Sequence, residues 1–239
     1  MKPFNLKLVP KAVADAAAKS LPIKCLKAEG DVPAELRIME QIGEDWWGDG
    51  VSATDVLDFV AEQSGKPINV RINSPGGFVY DGMVIYNALA SHTGRVTVTV
   101  EGLAFSMASV IAMAGDVVRM YQASDFGIHR AWGMAVGNQK DMRASAEWLM
   151  TIDQHLVDIY SEKTGKDAGQ INAWMDGESD GTLFSAVDAL ANGFADEVID
   201  PKAENEGKSA IIHGAKSAMR SAASASSRLQ MARAQMLVD

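Results

Sequence analysis

The chain has 239 residues, 47% of them hydrophobic and 22% charged, with a formal net charge of −9. That length suits one large domain with a sizeable core, and the acidic balance excludes the basic stripe that a nucleic-acid surface needs. Cys25 is the single cysteine, so an internal disulfide and a cysteine-built zinc site are both excluded, a usage that fits a reducing, cytoplasmic compartment.

Residues 1–30 read as an irregular, lysine-dotted segment with an Ala-rich patch at Val13 to Ala18 suited to a short helix. Its lysines interrupt every apolar run, so no secretory leader is expected, and no stretch nears the roughly 18 apolar residues of a membrane span. The alternation in Glu35 to Ile42 predicts a strand, followed by a loop from Gly43 to Gly50 that carries Trp46 and Trp47. Ser52 or Thr54 is placed to cap a helix whose apolar face is Val56, Leu57, Phe59 and Val60. Ile68 to Ile72 predicts a second strand, Asn73-Ser-Pro-Gly-Gly77 a sharp turn, and Tyr80 to Ser91 a helix ended by Thr93-Gly94.

A third strand is expected over Arg95 to Val100, leading through Glu101-Gly-Leu-Ala-Phe-Ser-Met-Ala-Ser109 into an apolar helix. Val117 to Tyr121 and Phe126 to Arg130 predict two further strands. From Gln139 to about Lys163 the pattern is helical, with Met142, Ala146, Leu149, Ile152, Leu156 and Ile159 on one face and Gly165 as the stop. A short helix from Ala168 to Met175 precedes an acidic loop, Asp176-Gly-Glu-Ser-Asp-Gly181. Thr182 to Asp200 reads as another short helix and a last strand. This repeated strand–helix alternation predicts an α/β domain with mainly parallel pairing. After Asp200 the composition changes, and residues 215–239 are rich in Ala and Ser with basic side chains. The domain reading is therefore an N-terminal segment 1–30, a domain 31–200 and a basic Ala/Ser tail 201–239, disordered or processed.

Local features of the chain admit chemistry, each beside a plainer role. Ser106 falls where a strand becomes a helix, a position for a rigidly held nucleophile and equally for a capping serine. The adjacent glycines of Asn73 to Gly77 let backbone N–H groups approach a ligand, or simply make a turn. His129, beside Trp132 at the end of an apolar strand, is either a half-buried core residue or a general base. The methionines are spaced as core or interface residues rather than as metal ligands.

Taken in order, Ile72-Asn-Ser-Pro-Gly-Gly77, Gly102-Leu-Ala-Phe-Ser-Met-Ala108, Ala114-Gly115, Ile128-His129 and Phe184-Ser-Ala186 with Gly193-Phe-Ala-Asp196 resemble the proteolytic subunit of the Clp protease, over about residues 35–200. The Ile42-Gly-x-Asp-Trp-Trp-Gly48 loop, His129-x-x-Trp-Gly133, the Gly137 to Arg143 run and Ile159 to Gly165 are most like the head maturation (prohead) proteases of tailed phages. The resemblance implies an α/β, Clp-protease/crotonase-like fold of repeated β-β-α units with a long handle-type helix. It implies a serine endopeptidase with Ser106 as nucleophile, His129 as general base and the N–H groups of Gly77 and Met107 as oxyanion hole. It also implies a homo-oligomeric ring acting on protein substrates, with no cofactor, no metal, no nucleic acid and no membrane. In the phage reading the substrates are scaffold and capsid proteins, cut inside an assembling prohead in the host cytoplasm. The alternatives are a housekeeping Clp peptidase working with an ATPase unfoldase, and a catalytically weak structural homologue. At the position of the family's acid this chain has Gly181, so Asp180 is the expected orienting acid, with Glu178 and Asp176 in reserve.

Overall fold

The computed structural model describes residues 25–26, 33–43, 50–178, 180–200, 202–203 and 211–214. The Ala-rich patch, Trp46, Trp47 and residues 215–239 of the tail lie outside them. The described strands are β1 (Cys25–Leu26), β2 (Ala34–Ile38), β3 (Ile68–Ser74), β4 (Val96–Phe105), β5 (Val117–Tyr121), β6 (Asp125–Ile128), β7 (Thr182–Ser185), β8 (Glu197–Ile199) and β9 (Ile211–Gly214). The helices are α1 (Ala53–Gln63), α2 (Val79–Ala90), α3 (Met107–Ala112), α4 (Gln139–Thr164), α5 (Ala168–Asp176) and α6 (Ala186–Asn192).

The strands form one sheet in the order β1-β2-β3-β4-β5-β8-β9, while β6 branches from β4 and pairs with β7. The pairs from β2 through β5 to β8, and the β4–β6 pair, are parallel; β1, β7 and β9 join antiparallel. This is the mainly parallel α/β arrangement that strand–helix alternation predicts. Val70, Val98, Val100, Val118 and Met120 are fully buried, as expected of strands covered on their faces by helices.

Several elements differ from the sequence reading, among them β2, which ends at Ile38 rather than Ile42. β4 does not stop at Val100 but runs to Phe105. Gly102 stays in the strand, where the Asn73 side chain occupies the space beside it and accepts the Leu103 N–H at 3.1 Å. Thr182 to Ser185 is an extra strand rather than the start of a helix, held by its ladder to β6. The face of α4 is buried only in its C-terminal half, at Ile152, Leu156, Val157 and Tyr160; Met142 and Ala146 are exposed and Leu149 only half-buried.

Helix ends follow their chemistry. Ser52 caps α1, Asn138 and Asp141 make a capping box at the start of α4, and Gly165 closes α4 in a left-handed conformation.

Candidate active site

The site is built where β3 and β4 end side by side. Beyond β3, the turn to Gly77 is pinned on both flanks. The Ile42 N–H donates to Gly76 O, and the Phe78 N–H to Ile42 O, both at 2.9 Å. Inside the turn, Ser74 Oγ donates to Glu40 O at 2.5 Å and accepts the Gly76 N–H at 3.2 Å. Gly76 has φ +90°, and a Cβ there would lie 2.6 Å from Ser106 Cβ and from Phe105 O. Only a glycine lets the turn approach the serine this closely.

Ser106 is the single residue between β4 and α3, at φ 56° and ψ −129°. A non-glycine residue there is strained by about 1–3 kcal/mol and persists only where its surroundings hold it. Its N–H donates to Gly127 O at 3.1 Å, which ties the bend to β6. The capping role is excluded, because the Ser106 side chain bonds no helix N–H. Its Oγ instead meets His129 Nε2 at 2.7 Å.

His129 sits just past β6. The parallel register that pairs Phe105 with Gly127 carries the histidine alongside the bend. Its ring stacks on Phe105 with centroids 4.9 Å apart and planes 25° from parallel. Burial lowers its pKa below the ordinary imidazole value, and the charges of Asp180 and Asp153 oppose that shift without cancelling it. The ring is thus neutral at neutral pH, as a base must be. We therefore expect the midpoint of the acid limb of kcat/KM to lie below about pH 6.5. A midpoint above it would show that the carboxylates, not burial, govern the ring.

Among the described residues, neither the Gly77 nor the Met107 N–H has an acceptor. Both line an open cleft with Ser106, His129, Ala131 and Trp132. Such a cleft has a hydroxyl, a base and two free donors converging on it, the requirements of acyl transfer.

The acids are less simply arranged. Gly181 lies against the backbone of Ile128 and His129, where a Cβ would come within 2.6 Å of Ile128 O and His129 Cβ, so no carboxylate fits at that residue. Asp180 is exposed, with φ 67°, and its charge reaches the imidazole although no hydrogen bond joins them. Asp176 is engaged elsewhere, since Arg130 Nε and Nη2 donate to it at 2.5 and 3.0 Å. That pairing holds the Asp176 carboxyl below its usual range. Glu178 is exposed and exerts no comparable influence on the ring.

Sequence reasoning missed Asp153 and Arg130. Asp153 accepts the Ala131 N–H at 2.8 Å and Arg130 Nη1 at 3.2 Å, fastening the segment after His129 to α4. A charge on an amphipathic helix reads as solvated, and nothing local marks Asp153 as different. Among the described residues there is no His, Cys, Asp and Glu grouping suited to a metal ion, and no helix is long and apolar enough to cross a membrane.

A profile of the Clp protease family matches residues 37–202. The chain belongs to the Clp protease family. Membership places it among serine-type peptidases, on a Clp protease fold. It is 33% identical over 148 residues to the ATP-dependent Clp protease proteolytic subunit 1 of Leifsonia xyli subsp. xyli, covering 61% of this chain and 74% of that one. Over 144 residues it is 36% identical to the ATP-dependent Clp protease proteolytic subunit of Deinococcus radiodurans, covering 59% and 69%. A third relative, the ATP-dependent Clp protease proteolytic subunit 1 of Chlamydia felis, is 31% identical over 158 residues, 65% of this chain and 76% of its own. The matched region contains Gly77, Ser106, Met107 and His129.

Proposed function

We propose that this chain is the peptidase subunit of a Clp-type serine protease, cleaving polypeptides through an acyl-enzyme. The observation that carries the reading is the 2.7 Å contact between Ser106 Oγ and His129 Nε2. His129 Nε2 takes the Ser106 proton as Oγ attacks the scissile carbonyl, and the N–H groups of Gly77 and Met107 hold the oxyanion. The C–N bond breaks as His129 returns the proton to the leaving amine. Water, deprotonated by the same nitrogen, then releases the acyl group.

Asp180 is the acid we assign to orient and support the imidazolium. Acting by charge without a hydrogen bond, it contributes less than a fully engaged triad aspartate. Asp180→Asn should lower kcat roughly ten- to a hundredfold, short of the ~10⁴ seen when a buried triad aspartate is replaced. A larger loss in Asp153→Asn than in Asp180→Asn would transfer the role to Asp153.

The subunit is proposed to act in the cytoplasm on protein substrates and as a homo-oligomeric ring. The relatives named above are described as ATP-dependent, which favours the unfoldase-partnered alternative over the head-maturation reading. The head-maturation reading rests on the motifs of the Ile42 loop, the His129 to Gly133 run and the long helix, and none of those relatives carries such a description. Digestion of fluorescein-labelled casein, with and without a Clp ATPase and ATP, tests the assignment. Hydrolysis that the ATPase accelerates, and that Ser106→Ala removes, supports it. Digestion of casein that is complete and indifferent to the ATPase would return the self-sufficient, head-maturation reading.

A further inference from the structure

Behind the bend lies a buried polar chain that the reaction described above does not use. Ser109 Oγ donates to Ser106 O at 2.6 Å, and the same Ser109 oxygen lies 2.8 Å from the hydroxyl of Tyr160 on α4. Ser109 is fully buried and Tyr160 is 1% exposed. A serine hydroxyl has one proton to give, and Ser109 gives it to Ser106 O. The proton between Ser109 and Tyr160 is therefore the phenol's. The chain has one direction: Tyr160 O–H to Ser109 Oγ, and Ser109 O–H to the Ser106 carbonyl. Burial pushes the Tyr160 phenol pKa up, so the phenol remains a donor throughout the working range.

The Ser106 carbonyl receives more than this. The N–H groups of Ser109 and Val110 donate to it at 2.9 and 3.3 Å. That carbonyl shares a planar peptide unit with the Met107 N–H, so whatever fixes the direction of one fixes the other. Drawing electron density onto the oxygen also makes the N–H at the far end of the unit a stronger donor, an effect enlarged where water is excluded.

We propose that Tyr160 and Ser109 are positioning residues for peptide hydrolysis, aiming and polarising the Met107 N–H through the Ser106 carbonyl. The inference rests on the reading of Ser106 as nucleophile and Met107 as oxyanion donor. It gives α4 a role at the reacting centre that its contacts with the core alone do not supply. The strained bend at Ser106 gains a tether to α4, which over-determined geometry of this kind requires.

The test uses the full chain and an alkyl fluorophosphonate, whose phosphoryl oxygen takes the place of the oxyanion once Ser106 attacks. For Tyr160→Phe, the maximal inactivation rate should fall roughly tenfold with the half-saturating concentration unchanged, a fraction of the 10²–10³ lost with a whole oxyanion donor. Ser109→Ala should fall at least as far, and the double variant should match Ser109→Ala, because both remove one chain. The acid limb of the pH profile, set by His129, should stay in place. Thermal unfolding of each variant identifies any loss of the fold, and Ser109→Ala carries the test if Tyr160→Phe fails to fold. Wild-type inactivation rates in folded variants would overturn the inference. So would additive losses, or a shift of the acid limb, which would place the effect at His129. Labelling that persists in Ser106→Ala would instead overturn the reading on which it rests.

Discussion

Ser106→Ala and His129→Ala should each remove hydrolysis of peptides and proteins almost entirely, lowering kcat by on the order of 10⁵–10⁶. The alanine chain keeps the bend, the free N–H groups and the cleft, because no hydrogen bond from Ser106 Oγ holds α3 in place. Folding should therefore be little changed and KM close to the wild-type value. The losses should not multiply: base and nucleophile act as a unit at 2.7 Å, so the double variant should be about as slow as either single one. Residual turnover above the background of the free N–H groups in His129→Ala would mean that another group takes the serine proton. Among the described residues, no other imidazole lines the cleft.

Gly76→Ala should be the most damaging change that removes no reacting atom. Its backbone has φ +90°, and a methyl group would meet Ser106 Cβ and Phe105 O at 2.6 Å and Met107 N at 2.8 Å. Those neighbours are backbone or the nucleophile's own stem, and none can swing aside. The turn must retreat, and it is fastened by bonds from Ile42, Phe78 and Ser74 that resist retreat. Displacement by about 1 Å costs about 10²-fold in rate, and the backbone strain adds about 1–3 kcal/mol of lost stability. Peptide hydrolysis by Gly76→Ala should thus fall by ~10² or more, with a lowered Tm. Wild-type kinetics in this variant would mean that the turn is not part of the reacting geometry.

Much of this site was legible in the sequence because its parts are local. A β-branched run ending in a serine before an apolar helix, a pair of adjacent glycines after a strand, and a histidine closing an apolar strand can each be seen within ten or so residues. Their order along the chain carried the resemblance to the Clp protease family. The length of β4 was hidden because the contact beside Gly102 is made by Asn73, from the neighbouring strand. Tyr160 and Ser109 were invisible as a pair for the same reason. They are 51 residues apart, and the contact exists only once α4 packs on α3. Asp153 looked like a solvated helix charge until Arg130 and the Ala131 N–H reached it.

The acid illustrates the limit from the other side. Counting residues back from Thr182 reaches Gly181, and sequence alone offers Asp180 as a substitute. The structure supplies the reason a glycine stands there: its α-carbon packs on the backbone of Ile128 and His129, opposite the β6–β7 ladder. Met142 and Ala146, read on the apolar face of α4, are exposed because the buried part of that face is confined to the helix's C-terminal half.

The nucleophile is tested most directly by the residue that an alkyl fluorophosphonate modifies in the wild-type chain, read by mass spectrometry of its proteolytic peptides. A single adduct on Ser106 is expected, lost in His129→Ala at neutral pH. An adduct on another serine, or undiminished labelling in Ser106→Ala, would contradict the assignment of Ser106.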